Sequence, residues 1–275
     1  MSDTCEIYFH VGTGKTGSTF LQARIFPLLK GIYYIPTNRY HKIFREIEKI
    51  SSTKILISRE FDQQLEREVK RFSENHPNTT PIIVFRRHDS YIASQYRRFV
   101  KNGFTGNFQT FFDLQNNEGY FKHCDLDYKN QVALLKKHFT KEPIVFTYKD
   151  FKENAQKFTQ KWAEIMSCSL DNKKVNWNRK HTSYSEHQLK VIKNFGKLIN
   201  LTKRRVFKNS ALHFIWKIYL GSIRYSILHL SFLAPKNNEK LIKEEELDAV
   251  KTYFQEDWKY IQSIATPTSP QTQQP

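Results

Sequence analysis

The chain is poor in residues that staple a protein or hold a metal. Three cysteines, Cys5, Cys124 and Cys168, are scattered over 275 residues. An odd, dispersed set excludes a disulfide framework and reads as buried or neutral thiols. The histidines, His10, His88 and His181 among them, stand at no ligand spacing for a metal, so none is expected. Acids are scarce too, 27 Asp and Glu against 44 Lys and Arg, for a net charge of +17. That balance favours an anionic partner. No recognised nucleic-acid-binding motif accompanies it, so nucleic acid is not expected. There is no internal repeat, no basic-then-apolar leader and no membrane anchor. The aromatic-rich run Ala211–Leu230 is interrupted by His213, Lys217, Arg224 and His229 and makes a poor membrane span. These absences lead to the expectation of a cytoplasmic protein.

What is present begins at the front. Ile7 to Leu21 reads as a strand, a Gly-rich turn and the start of a helix. Gly12, Gly14 and Gly17 let the backbone bend tightly and approach a ligand. Lys15, Thr16, Ser18 and Thr19 crowd a helix N-terminus, where unpaired amides and the helix dipole attract an anion. The segment is built to hold phosphate or sulfate. A loop for nucleoside triphosphates needs a glycine five residues before Gly14-Lys15-Thr16, and that position holds Phe9. Such enzymes also hold Mg²⁺, usually through an acid at the end of a later strand. Here the apolar run Pro81–Phe85 ends in Arg86-Arg87, which suits a further anionic group on the ligand. Ser94 follows Arg86 by eight residues, a little over two helical turns, and can share its face.

Together these two segments resemble the sulfotransferases that use 3′-phosphoadenosine 5′-phosphosulfate (PAPS), in particular bacterial carbohydrate-type members. The resemblance covers roughly residues 6 to 260. It implies a 5′-phosphosulfate loop formed by Gly14, Lys15, Thr16, Gly17, Ser18, Thr19 and Phe20. It implies a 3′-phosphate grip by Arg86 and Ser94, and Tyr148, in Val145–Lys152, near the adenine. Arg87-His88 stands where many members carry Asp-Pro. Val175–Asn178 and Phe254–Trp258 resemble later family segments. Lys15 is expected to neutralise charge on the bridging oxygen; its other reading is a solvated lysine at a helix start. Glu60 lies where cytosolic members carry a catalytic His and is the expected base, the alternative being a first-turn acid stabilised by the helix dipole. His41 is the rival base, or else a surface or packing histidine. His10 reads as structural.

The implied fold is α/β, a parallel sheet flanked by helices with a P-loop-like topology and a helical C-terminal region. Strands are expected at Ile32–Ile35, Lys54–Ser58, Ile82–Phe85 (as the central strand) and Ile144–Thr147. Helices are expected at Thr19–Leu29, Phe61–Phe72, Asp127–Phe139 and Phe158–Met166. One domain spans 1–265, helical from about 185, and 266–275 is a disordered tail. His213, Lys217 and Arg224 share a stripe in the run Ala211–Leu230, which reads as a packed helix, a lid over the acceptor, or a helix lying on a membrane. The basic cluster Lys203-Arg204-Arg205 suits an acidic acceptor or anionic lipid, so residues 203–234 are open to peripheral contact at the inner membrane surface. The expected activity is sulfuryl transfer from PAPS to a hydroxyl or amine of a carbohydrate or glycolipid, with an already acidic glycan among the candidates. An ATP-dependent kinase on a related fold, or a nucleotide- or glycan-binding protein without turnover, remains the alternative.

Overall fold

The computed structural model describes residues 5–178, 184–201, 207–235 and 239–268. They belong to two compact units that interleave in sequence. The first comprises Met1–His88, Cys124–Asn178 and Tyr253–Pro275; the second comprises Asp89–His123 and Arg179–Thr252. The sequence reading treats 1–265 as one domain with a change of character near 185; by contacts, the second unit begins at Asp89.

The first unit is built on strands β1 (Glu6–His10), β2 (Leu29–Lys30), β3 (Tyr33–Ile35), β4 (Lys54–Ser58), β5 (Thr80–Phe85), β6 (Ile144–Thr147) and β7 (Ser169–Leu170). Five of them form a parallel sheet in the order β3-β4-β1-β5-β6, while β2 and β7 pair antiparallel. The central strand is therefore β1. The expected central run, Ile82–Phe85, is the end of its neighbour β5, because later strands add on both sides of β1.

Side-chain alternation in these strands feeds two cores. Ile7, Phe9, Ile55, Ile57, Ile83, Phe85 and Val145 join one cluster, whereas Tyr8, Leu56, Ile82, Val84 and Phe146 join the other. A sheet buried on both faces explains the near-continuous apolar runs. Each such side chain contributes about 1.5–3 kcal/mol by leaving water. Helices Leu65–Ser73 and Tyr128–His138 supply Val69, Phe72, Val132 and Leu135 to the first cluster. Ala155–Ile165 supplies Phe158 and Trp162 to the second. Side-chain oxygens of Asp127 and Asn154 cap two of these helices, accepting from the amides of Asn130 and Lys157.

Several boundaries shift for identifiable reasons. The helix expected from Phe61 begins at Leu65, because the residues after β4 are tied to the Gly-rich loop: the Phe61 amide donates to Gly12 O at 3.2 Å. The first helix runs from Ser18 to Leu28 through α, π and 3₁₀ turns, with Pro27 at its end. Cys5 and Cys124 are exposed and Cys168 is half-buried, so of the expected buried or neutral thiols none is fully buried; local desolvation raises all three above the usual thiol range, which favours the neutral form. Residue Thr266, at the start of the expected tail, donates its amide to Val145 O at 2.8 Å. The remainder of that tail from 269, the cluster Lys203–Arg205 and His181 lie outside the described residues.

The second unit has an aromatic centre. Tyr96, Phe99, Phe111 and Phe121 pack with ring centroids 5.1–5.3 Å apart in the pairs Tyr96–Phe111, Phe99–Phe111 and Phe111–Phe121. Helix Glu186–Leu198 opens with a capping box between Ser185 and Gln188. Helix Ser210–Leu230 follows, 21 residues long. Its Arg224 is buried and donates to the carbonyls of Leu201 and Asn102, so it holds loops within this unit. Among the described residues no helix is long and apolar enough to cross a membrane.

Candidate active site

The Gly-rich loop leaves the carboxyl end of β1, the strand from which the sheet grows in both directions. Parallel α/β sheets bind ligands at such a switch point, outside the carboxyl ends of the strands. The loop is moored on both flanks. Val11 N donates to Ile82 O at 2.9 Å on the β5 side, and Arg59 N donates to His10 O at 2.9 Å on the β4 side. Whatever emerges from the ends of β4, β5 and β6 therefore faces the loop.

Two residues in the loop take left-handed backbone, Lys15 at φ 69° and Gly17 at φ 89°. For lysine this conformation is costly and marks a site where the surroundings dictate the backbone. Gly17 is required twice over. Besides its φ, a Cβ there would lie 2.8 Å from Cε1 of Phe151. Thr16 Oγ1 donates to Thr13 O at 2.7 Å and lies 3.1 Å from Ser18 Oγ, which pins the turn. The amides of Ser18 and Thr19 open the helix and have no intrahelical acceptor. Thr13 Oγ1 is buried with no hydrogen-bond partner. Lys15 and Thr19 are exposed.

Beneath the loop, His10 is fully buried. Its Nδ1 lies 2.8 Å from Ser58 Oγ, which also accepts from Gln22 Nε2 at 3.0 Å. Burial lowers the imidazole to about 3, so it stays neutral. Its Nε2 has no partner and lies 2.7 Å from where a Cβ on Gly12 would sit, so the loop rests directly on the ring. The structural reading of His10 holds.

From the end of β5 comes Arg86. Its Nη1 donates to Lys15 O at 3.1 Å, and its guanidinium lies 4.8 Å over the ring of Tyr148, which starts the helix after β6. Tyr148 continues through Phe151 to Phe20, with ring separations of 5.9 and 5.6 Å. Phe20 in turn meets Trp177 at 5.8 Å, and Arg24 donates to the carbonyls of Asn176 and Asn178. The wall so formed joins the loop, Arg86, Tyr148 and the Val175–Asn178 segment, four of the sequence signals. Ser94 sits half-buried on helix His88–Lys101, in the second unit.

From the end of β4 come two carboxylates. Asp62 Oδ1 accepts the Gly14 amide at 2.8 Å. Glu60 Oε2 lies 3.3 Å from the position a Cβ on Gly14 would take. Glu60 thus stands at the loop. His41 does not join it: the residue is exposed on the 3₁₀ turn Thr37–Lys42, and its Nδ1 lies 2.9 Å from Asn38 O of that same turn.

Sequence reasoning missed Asp62, although it follows the highlighted Glu60 by two residues. It also missed a support behind Arg86. Tyr128 Oη donates to Arg86 O at 2.8 Å. Asp257 accepts from the amides of Tyr128 and Lys129 and lies 2.8 Å from His88 Nε2. The His88 ring is stacked between Tyr128 and Phe254, at 4.0 and 4.6 Å. His88 is thus held by the Phe254–Trp258 segment.

No family model matches the sequence, and no curated protein matches it. Among solved structures, a sulfotransferase from Alicyclobacillus acidocaldarius aligns with a TM-score of 0.51 and 13% identity, over 69% of this chain and 91% of that one. The mouse sulfotransferase SULT7A1 complexed with PAP aligns with a TM-score of 0.40 and 15% identity, over 61% of each chain, too slight a likeness to carry an argument. The protein has the P-loop-like α/β fold of the bacterial enzyme.

Proposed function

We propose that the protein is a sulfotransferase that moves the sulfuryl group of PAPS to a hydroxyl or amine of a carbohydrate or glycolipid. One observation carries the reading: Arg86 bonds the loop at Lys15 O while its guanidinium lies against Tyr148. A cation beside an aromatic face, next to an anion loop, suits a ligand with two phosphate positions and an adenine. The fit is supported by the partnerless Thr13 Oγ1 and by the close packing at Gly17, which leaves room for backbone and not for a side chain.

PAPS, when bound, supplies the sulfuryl group and a phosphate leaving group. The chain's part is positioning and charge stabilisation. The amides of the loop and first helical turn, with Thr16, Ser18 and Thr19, hold phosphate oxygens. Lys15 neutralises negative charge that grows as the leaving group departs. Arg86 holds the 3′-phosphate through charge-assisted hydrogen bonds. Glu60 takes the acceptor's proton. Asp62 acts one step removed, by fixing Gly14 and so the mouth of the loop.

The two carboxylates beside Gly14 favour one competing reading, a kinase whose acids hold Mg²⁺ on ATP. Transfer of labelled sulfate from PAPS to a panel of polysaccharides and glycolipids, beside transfer of labelled phosphate from ATP, decides between them. Sulfate labelling that Lys15→Ala abolishes is the expected result. Phosphate labelling alone overturns the reading, and labelling from neither donor favours a binding protein without turnover.

A further inference from the structure

The second unit exposes its apolar residues along one helix. In Ser210–Leu230, Phe214 is 63%, Ile215 61%, Ile218 56% and Tyr225 65% exposed. At 3.6 residues per turn, these positions with Leu212 and Tyr219 span an outward arc of roughly 160°. No Lys, Arg, Asp or Glu stands on that arc; Ala211, Ser222, Ser226, His229 and Leu230 are its other members. The opposite face, Leu220, Arg224 and Leu228, is buried. The arc continues into the turn Ser231–Leu233, where Phe232 is 73% and Leu233 71% exposed. A patch of this breadth marks a contact surface.

Charge says what covers it. Residues 187–238 contain ten Lys and Arg and not one Asp or Glu. Beside the turn, His187 and Gln188 of helix Glu186–Leu198 lie within hydrogen-bond distance of Ser231 O and Leu228 O, at 2.7 and 3.2 Å. That helix and the chain after the turn line a cavity of about 320 Å³ with Lys190, Lys193, Lys197, Lys240 and Glu239, Lys240 being paired with Glu244. An apolar arc with aromatic residues and no acid of its own, on a stretch of chain whose charges from 187 to 238 are all positive, is the surface chemistry of a helix lying in a bilayer interface that carries negative headgroups. A second copy of the same chain would bring cations against cations.

We infer that the second unit docks on an anionic lipid surface, with the arc of Ser210–Leu230 and the turn Ser231–Leu233 in the acyl boundary and the lysine cavity facing phosphate headgroups. The inference stands apart from the catalytic reading, since docking needs neither donor nor acceptor.

The test is co-sedimentation of the full chain with vesicles of phosphatidylcholine, and with vesicles in which part of it is replaced by phosphatidylglycerol. Partitioning onto the anionic vesicles should exceed that onto neutral ones at least tenfold, and should fall with added salt. Ile218→Asp and Phe232→Asp should each reduce it about tenfold or more. Lys197→Gln should reduce it about fivefold. These side chains are exposed, so circular dichroism and melting should match wild type; Phe232→Ser replaces either aspartate variant that melts early. Equal sedimentation of wild type and variants, or none with anionic vesicles, overturns the inference. So does a dimer seen by light scattering that Ile218→Asp dissociates, which would assign the arc to a second copy.

Discussion

Both units bury aromatic residues, but the second also sets a row of them on its surface. In the first, Phe9, Phe72, Phe85 and Phe146 lie in clusters on the two faces of a parallel sheet, all but fully buried. In the second, Phe214, Tyr219, Tyr225 and Phe232 stand outside. Among the large apolar residues described as exposed, all but Tyr33, Tyr253 and Ile264 belong to the second unit. The difference teaches that apolar residues do two things here. In the first unit they fix the strand ends from which the loop and its neighbours emerge, whereas in the second a row of them is left exposed. Substitutions should therefore separate: chemistry responds to the first unit and surface attachment to the second.

The largest separation is expected at Lys15. Lys15→Ala should lower sulfuryl transfer by about 10³-fold or more, since the lysine acts on charge present only in the transition state. Vesicle partitioning should be unchanged. Labelled-sulfate assays and co-sedimentation on one preparation read both. A Lys15→Ala protein with near-normal transfer breaks the comparison on the side of the first unit.

Glu60→Gln keeps size and removes basicity, and should cost on the order of 10²–10⁴ in turnover with donor affinity little changed. It should also remove the acidic limb of the pH–rate profile. His41→Ala is the matched control. Its ring bonds its own turn, so turnover should stay within a few-fold of wild type. The reverse pattern transfers the role of base to His41.

Smaller effects concern the scaffold of the first unit. Gly17→Ala forces an alanine to φ 89° and against Phe151 and should destabilise by about 1–3 kcal/mol, measured by chemical denaturation. His10 makes its own pH signature. Its folded value near 3 lies below the ordinary 6.5, so between those values the unfolded chain binds the proton and the native state does not. Stability should therefore be intact above 6.5 and fall as the pH drops toward 3, by at most about 1.4 kcal/mol per pH unit from this group. A His10→Gln variant, compared with wild type across that window, should show a shallower fall. Parallel curves would show that His10 is not the group responsible.

Much of the first unit was legible in the sequence. Strands β4 and β6 occur where their β-branched runs end, and the loop follows β1 as its glycines and Lys15 require. The loop could be read because its chemistry is contiguous. What could not be read depends on partners far along the chain. Asp62 matters because of an amide 48 residues earlier, and Asp257 because of a helix start about 130 residues away. The order of strands around β1 is likewise a long-range property, so the apolar run ending at Phe85 gave no sign that it was one place off centre. The interleaving of the two units, with Asp89–His123 joined to residues beyond 179, leaves no compositional boundary. Nor does the pattern of Ser210–Leu230 reveal its buried side. Arg224 lies inside against two carbonyls, while Phe214 lies outside, an inversion that only tertiary structure displays.

The central claim is that the first unit's loop, Arg86 and Tyr148 form a site for an adenine nucleotide with a 3′-phosphate. Calorimetric titration with 3′-phosphoadenosine 5′-phosphate, without metal, against the same nucleotide lacking its 3′-phosphate, tests it most directly. The account expects tighter binding of the former by about 1.5–3 kcal/mol, roughly 10- to 150-fold, and loss of that preference in Arg86→Ala. Equal affinity for the two nucleotides, or tighter binding of ATP with Mg²⁺ than of either, would contradict it.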